Sequence, residues 1–101
     1  MEGSEQAGQR PAIILSPDLI NHHSPVVIVA SVTSKKTDRV HPSEVRIEAG
    51  QAGLKIRSKV LLMQIRSIDK RRIVGKYGKV GSSIMQEIEE ALRIAVGLTP
   101  F

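Results

Sequence analysis

The sequence predicts a small α+β domain that is mainly β, a barrel of short strands packed against one C-terminal amphipathic helix. Three observations carry this expectation. Short β-branched or alternating apolar runs recur through the chain, turn-forming Gly, Pro, Asn and Asp residues separate them, and only after Ser82 does the apolar period lengthen to three and four residues. A length of 101 residues suits one compact domain with a modest core and is too short for two, so residues 1–101 are expected to form a single domain.

The first element is Ala12-Ile13-Ile14-Leu15, a short buried strand that follows Arg10-Pro11 and stops at the turn signal Ser16-Pro17-Asp18. Asn21-His22-His23-Ser24-Pro25 then reads as a loop. Val26 to Val32 is β-branched apart from Ala30 and Ser31, the composition of a central strand buried on both faces, and it delivers Thr33, Ser34, Lys35 and Lys36 at its exit. The polar segment Thr37 to Ser43 predicts an exposed loop. Glu44-Val45-Arg46-Ile47-Glu48 alternates as a half-buried strand does, with Glu44, Arg46 and Glu48 on one side. Lys59 to Ile68 is a further strand, and Asp69-Lys70-Arg71-Arg72 turns the chain at its end. In the last segment Ile84, Ile88, Ala91, Leu92, Ala95 and Val96 share one helical face. Ser83 with Gln86 suggests a capping box, Glu89 with Arg93 an i,i+4 pair, and Gly97 a C-terminal stop.

Composition narrows the function classes. No run reaches the roughly 18 to 20 apolar residues that a membrane helix requires, and Met1-Glu2-Gly3-Ser4-Glu5 lacks the basic and apolar regions of a signal sequence, so a cytoplasmic protein without membrane contact is expected. The absence of cysteine excludes disulfides, thiol catalysis and thiolate metal sites. His22, His23 and His41 have no carboxylates at metal-ligand spacing, so no metal and no other cofactor is predicted. The net charge of +5 is concentrated, since residues 55–80 hold nine Lys/Arg against Asp69 alone. Such a block either steers a polyanion or is a solvated face of strands and turns. With only Tyr77 and Phe101 as Phe, Tyr or Trp residues, aromatic stacking platforms are not predicted.

The N-terminal segment Gly3-Ser4-Glu5-Gln6-Ala7-Gly8-Gln9-Arg10-Pro11 offers close backbone approach at its glycines, polar donors and acceptors, and one fixed positive charge. Alone it reads as a polar loop. Followed by an apolar strand, it resembles the opening active-site segment of the MazF/PemK toxin family. Two more blocks match that family in order. Pro25 to Ser34 is similar to its central strand ending in a catalytic threonine, and Val60 to Arg71 is similar to its L-x-x-Q-I-R-(S/T)-I-D-K-R strand. The resemblance spans nearly the whole chain.

The resemblance implies an SH3-like, plasmid-toxin β-barrel, a homodimer, and metal-independent cleavage of single-stranded RNA to 2′,3′-cyclic phosphate and 5′-hydroxyl ends. It also implies a MazE-like antitoxin whose acidic tail occupies the RNA groove. Carried onto this chain, Arg10 and Thr33 become the catalytic pair, and Ser4, Glu5, Gln6, Ser34 and Gln64 line the RNA site. Read without the family, Thr33 is an ordinary strand-end residue and Gln64 a polar residue on an exposed face. Two features depart from the pattern. The strand that family chains usually carry before the G-S-E-Q loop has no counterpart ahead of Met1-Glu2, so one barrel strand is expected to be missing, and Met63 stands where the family often has an acid. A second reading is therefore an N-terminally truncated inactive relative, or a toxin that, like the CcdB-type gyrase poisons, binds a protein and cuts nothing. A third, a plain nucleic-acid-binding barrel, rests on the basic block alone.

Overall fold

A computed structural model describes residues 10–100 of the chain. Its elements are β1 (Ala12–Ile14), α1 (Asp18–His23), β2 (Val26–Thr33), β3 (Glu44–Ile47), β4 (Ser58–Asp69), a single 3-10 turn (Lys70–Arg72) and α2 (Ser82–Ala95). The four strands form one antiparallel sheet in the order β1-β2-β4-β3. This is the predicted mainly β, α+β class with its C-terminal helix.

Alternation along the strands divides the core between the two faces of the sheet. Ile13, Ala30, Val32, Val60 and Leu62 gather with Ile84, Ile88 and Ala91 of α2. Ala12, Val27 and Val29, of opposite parity to Ile13, Ala30 and Val32, form a smaller cluster with Ile68, which a register shift in β4 brings to that face. The β2–β4 pairing runs regularly from Val26↔Asp69 to Ala30↔Ile65 and then jumps to Ser31↔Leu61. Leu62, Met63 and Gln64 are the surplus residues on β4. A bulge of this kind bends a strand and re-aims its side chains; Leu62 stays in the core while Met63 and Gln64 are exposed.

Four local expectations are corrected. Residues 18–23, read as a turn and a loop, form α1, which buries none of its residues and so leaves no apolar stripe to read in the sequence. The β2 strand is central, yet Val26 and Ile28 are exposed, because α2 covers only the far end of that face. The N-cap of α2 is Gly81, with no side-chain cap, so Ser83 lies inside the helix and makes no capping box. Arg93 pairs with Glu90 at i,i+3 in place of Glu89. The C-terminal stop is as predicted. Gly97 has φ +78°, its N–H donates to the Ile94 carbonyl at 3.1 Å, and the Leu98 N–H donates to the Arg93 carbonyl at 2.7 Å, which together make a Schellman motif.

One loop contact fixes the strandless stretch before α2. Gly53 has φ +74°, and a Cβ placed on it would lie 1.9 Å from the Tyr77 carbonyl oxygen. Both backbone conformation and space therefore demand glycine. Gly53→Ala is expected to destabilise the fold by more than ~1 kcal/mol, read as a lower urea midpoint at unchanged slope; an unchanged midpoint would mean that the Tyr77 segment is not held there.

Candidate active site

The β1–β2 register sets the site. Ala12 lies opposite Ser31, and the Val32 N–H donates to the Pro11 carbonyl at 3.3 Å, so the same antiparallel progression brings Arg10 across from Thr33. On the other side of β2, Thr33 lies opposite Lys59 and Ser31 opposite Leu61. The bulge in β4 brings Gln64 to the same place. Arg10, Thr33, Ser34 and Gln64 thus line one cleft of about 640 Å³. Ser4, Glu5 and Gln6 lie outside the described residues.

Thr33 is half-buried, and its Oγ1 accepts a hydrogen bond from the Lys35 N–H at 3.1 Å. That turn orients the hydroxyl and leaves its own proton available for donation. Arg10, Ser34 and Gln64 are exposed. The cleft is also lined by Lys35, Lys55 and Tyr77, and no described carboxylate lines it. Among the described residues the charged groups of the cleft are thus three cations, Arg10, Lys35 and Lys55, which favour an anionic ligand. Sequence reasoning passed over Lys35, Lys55 and Tyr77: Lys35 had a signal in its place two residues after Thr33, and Lys55 in the basic block, whereas a lone Tyr77 in a Gly-rich stretch had none.

The basic block is neither a uniform RNA surface nor a uniformly solvated one. Lys59 is buried, and its Nζ donates at 2.9 Å both to Glu44 Oε1 and to the Arg39 carbonyl. Burial pushes the Glu44 carboxyl up, but the hydrogen bonds from Lys59 and the His41 N–H, with the Lys59 charge, outweigh it and hold Glu44 below its ordinary value. Arg57 pairs with Glu48 at 2.9 Å, and that hydrogen bond lowers the Glu48 carboxyl. Arg71 donates through its side chain and its N–H to Asp69, bringing that carboxyl to about 2. The Lys70 Nζ reaches the Asn21 carbonyl. Lys55 is the block's contribution to the cleft.

The Lys59–Glu44 pair also tethers the loop that runs on from the cleft residues Ser34 and Lys35. The loop leaving Thr33 is tied at Arg39 by Lys59, at Thr37 by Arg46 Nε (2.8 Å), and at His41, whose N–H donates to Glu44 Oε1 at 3.1 Å. His22 and His23 sit edge to face on exposed α1, outside the residues that line the cleft. Among the described residues no three His, Asp or Glu side chains come together as a metal site, and no helix is long and apolar enough to cross a membrane.

The chain is 38% identical over 99 residues to the endoribonuclease EndoA of Bacillus subtilis, a match covering 98% of this chain and 85% of that protein. Its fold is similar to the Mycobacterium tuberculosis toxin MazF-mt6, with a TM-score of 0.86 at 23% identity over 98% of this chain and 97% of that one. It is similar as well to a mycobacterial endoribonuclease solved in complex with its cognate antitoxin, with a TM-score of 0.84 at 23% identity, covering 99% of this chain and 93% of that one. Residues 1–96 match the family of PemK-like, MazF-like toxins of type II toxin-antitoxin systems. With that match running through the strands, the cleft and the C-terminal helix, the protein belongs to the PemK-like, MazF-like toxin family.

Proposed function

We propose that this toxin is an endoribonuclease that cuts single-stranded RNA in the cytoplasm without a metal ion, acts as a homodimer, and is blocked by a MazE-like antitoxin. The observation that carries the reading is the cleft that joins Arg10 to Thr33 among three cations and no described carboxylate, in a chain 38% identical to a protein named as an endoribonuclease. It favours a nuclease over a toxin that only binds a protein, because a cleft whose described charged residues are all cationic, beside a hydroxyl, suits a phosphodiester.

In the proposed reaction the RNA 2′-hydroxyl loses its proton, its oxygen bonds to phosphorus, and the bond to the 5′-oxygen breaks as that oxygen takes a proton. A 2′,3′-cyclic phosphate and a 5′-hydroxyl result. Arg10 presents a planar fork of donors to the phosphate oxygens and stabilises the charge that builds on them. The Thr33 hydroxyl donates to the same phosphate or orients the nucleophile. Lys35 and Lys55 hold flanking phosphates, Ser34 and Gln64 contact the RNA, and the family resemblance adds Ser4, Glu5 and Gln6 to the RNA-binding residues. An acidic antitoxin tail competes for the same cations. Self-association is supported by Val26, Ile28 and Ile65, which share one face of the β2–β4 pair and are each more than a third exposed.

The test is incubation of the protein with a labelled single-stranded RNA in excess EDTA. Cleavage is expected to persist at an undiminished rate and to leave cyclic phosphate and 5′-hydroxyl ends, because the described donor set offers no cluster for a catalytic metal. Activity that vanishes in chelator and returns with a divalent ion would overturn the reading.

A further inference from the structure

We propose that Tyr77 is a stacking platform for one base of the bound RNA, an inference that rests on the nuclease reading above. Tyr77 lines the cleft together with Arg10, Thr33 and Gln64, and the residue is 43% exposed. A tyrosine in strandless chain is usually too mobile to serve as a platform, but this one is anchored at its own carbonyl and at the residue that follows it. Its carbonyl packs against Gly53, where a Cβ would not fit, and Gly78 meets the Gly53 backbone so closely that a Cβ on Gly78 would lie 3.0 Å from the Gly53 nitrogen. Gly53 in turn precedes buried Leu54, which belongs to the main core. The ring is thus carried on two loops locked to each other and to the core.

The neighbouring chemistry fits a nucleotide. The Gly53 loop that seats Tyr77 continues into Lys55 and Ile56, both lining the cleft, with Ile56 60% exposed. An aromatic face and an apolar side chain beside cations offer a base a surface and its phosphates a counter-charge. Stacking tolerates any base, so Tyr77 adds affinity and position at one nucleotide, while Gln64 and Ser34 supply the hydrogen bonds that tell bases apart.

The chain has one tyrosine and no tryptophan, which makes Tyr77 its own reporter. Once the preferred site has been mapped by cleavage, an RNA carrying a 2′-deoxynucleotide at the scissile position binds without being cut. Saturating wild-type protein with this RNA is expected to quench its tyrosine emission, and the same RNA made abasic at one position restores the emission while still binding. Tyr77→Ala is expected to weaken binding about 10-fold, the scale for losing one stacked base, and Tyr77→Phe to bind nearly as wild type. On the abasic RNA, Tyr77→Ala costs nothing further. Binding with unquenched tyrosine emission, or a Tyr77→Ala loss that is the same on every abasic RNA, overturns the stacking role and leaves the nuclease reading standing. Wild-type protein that neither binds nor cuts RNA removes both.

Discussion

Replacing Arg10 by alanine is expected to slow single-turnover RNA cleavage by at least ~10²-fold, the scale for deleting a preorganised donor to a transition state, while RNA binding weakens much less. The asymmetry follows from what a guanidinium can do in this cleft. Lys35 and Lys55 remain to attract the polyanion when Arg10 is gone, so the ground state keeps most of its electrostatic hold. What is lost is the bidentate contact with oxygens whose charge grows only as the phosphorus becomes five-coordinate. Arg10→Lys is expected to be almost as damaging, because an ammonium keeps the charge and loses the planar fork. Thr33 gives the matching control. Its hydroxyl accepts from the Lys35 N–H, so Thr33→Ser preserves both that turn and the free proton, whereas Thr33→Val removes them; serine is expected to retain more activity than valine. The measurement is single-turnover cleavage of a labelled RNA, with binding measured separately and folding checked by circular dichroism. Near-normal cleavage by a folded Arg10→Ala protein would take Arg10 out of the reaction.

Lys59→Met is expected to cost about 3–5 kcal/mol of stability, the range for leaving a buried charge without its partner. Lys59 is 6% exposed and satisfies both Glu44 and the Arg39 carbonyl. Without the ammonium, a largely buried carboxylate keeps only the His41 N–H of its two described donors, and the loop tying Thr33 to β3 loses one of its three anchors. In a domain of this size the thermal midpoint should fall by more than ~10 °C. Combining Lys59→Met with Glu44→Leu removes both charges and is expected to recover much of the loss, which separates unpaired charge from lost packing. The pH dependence has a definite sign. Glu44 titrates lower in the folded protein than its ordinary value of 4.5, so its contribution to stability is fully present above that value and disappears as pH falls through the folded one. The stability gap between wild type and Glu44→Gln should therefore be widest near neutrality and close progressively below pH 4.5. A gap that does not change with pH would show that Glu44 gains nothing from being ionised.

How much of this was legible before folding depends on how local each feature is. The α2 helix could be read directly, because Ile84, Ile88 and Ala91 repeat at the helical period and are the residues it buries. The alternation in Glu44–Ile47 likewise named the two residues that β3 buries, Val45 and Ile47. The Gly97 stop needed only the rule that a left-handed residue ends a helix most easily as glycine. The three blocks of family resemblance identified Arg10, Thr33 and Gln64 as candidates, though nothing in their local chemistry set them apart from a loop cation, a strand end and a surface amide.

Tertiary structure decided the rest, and in each case the reason is a partner distant in sequence. The β2 composition suggests burial on both faces, but whether Ile28 is covered depends on how far α2 reaches, which β2 does not encode. The six-residue α1 buries nothing, so no period betrays it. In the sequence Lys59 is one cation among nine, and only the approach of Glu44 and Arg39, fifteen and twenty residues away, makes it a buried clamp. Gln64 owes its aim to three surplus residues in β4 against β2, and Tyr77 owes its place in the cleft to the missing side chain of Gly53. Period and turn chemistry are properties of a segment and can be read in it; desolvation, register and close approach belong to pairs of segments and exist only once the chain has folded.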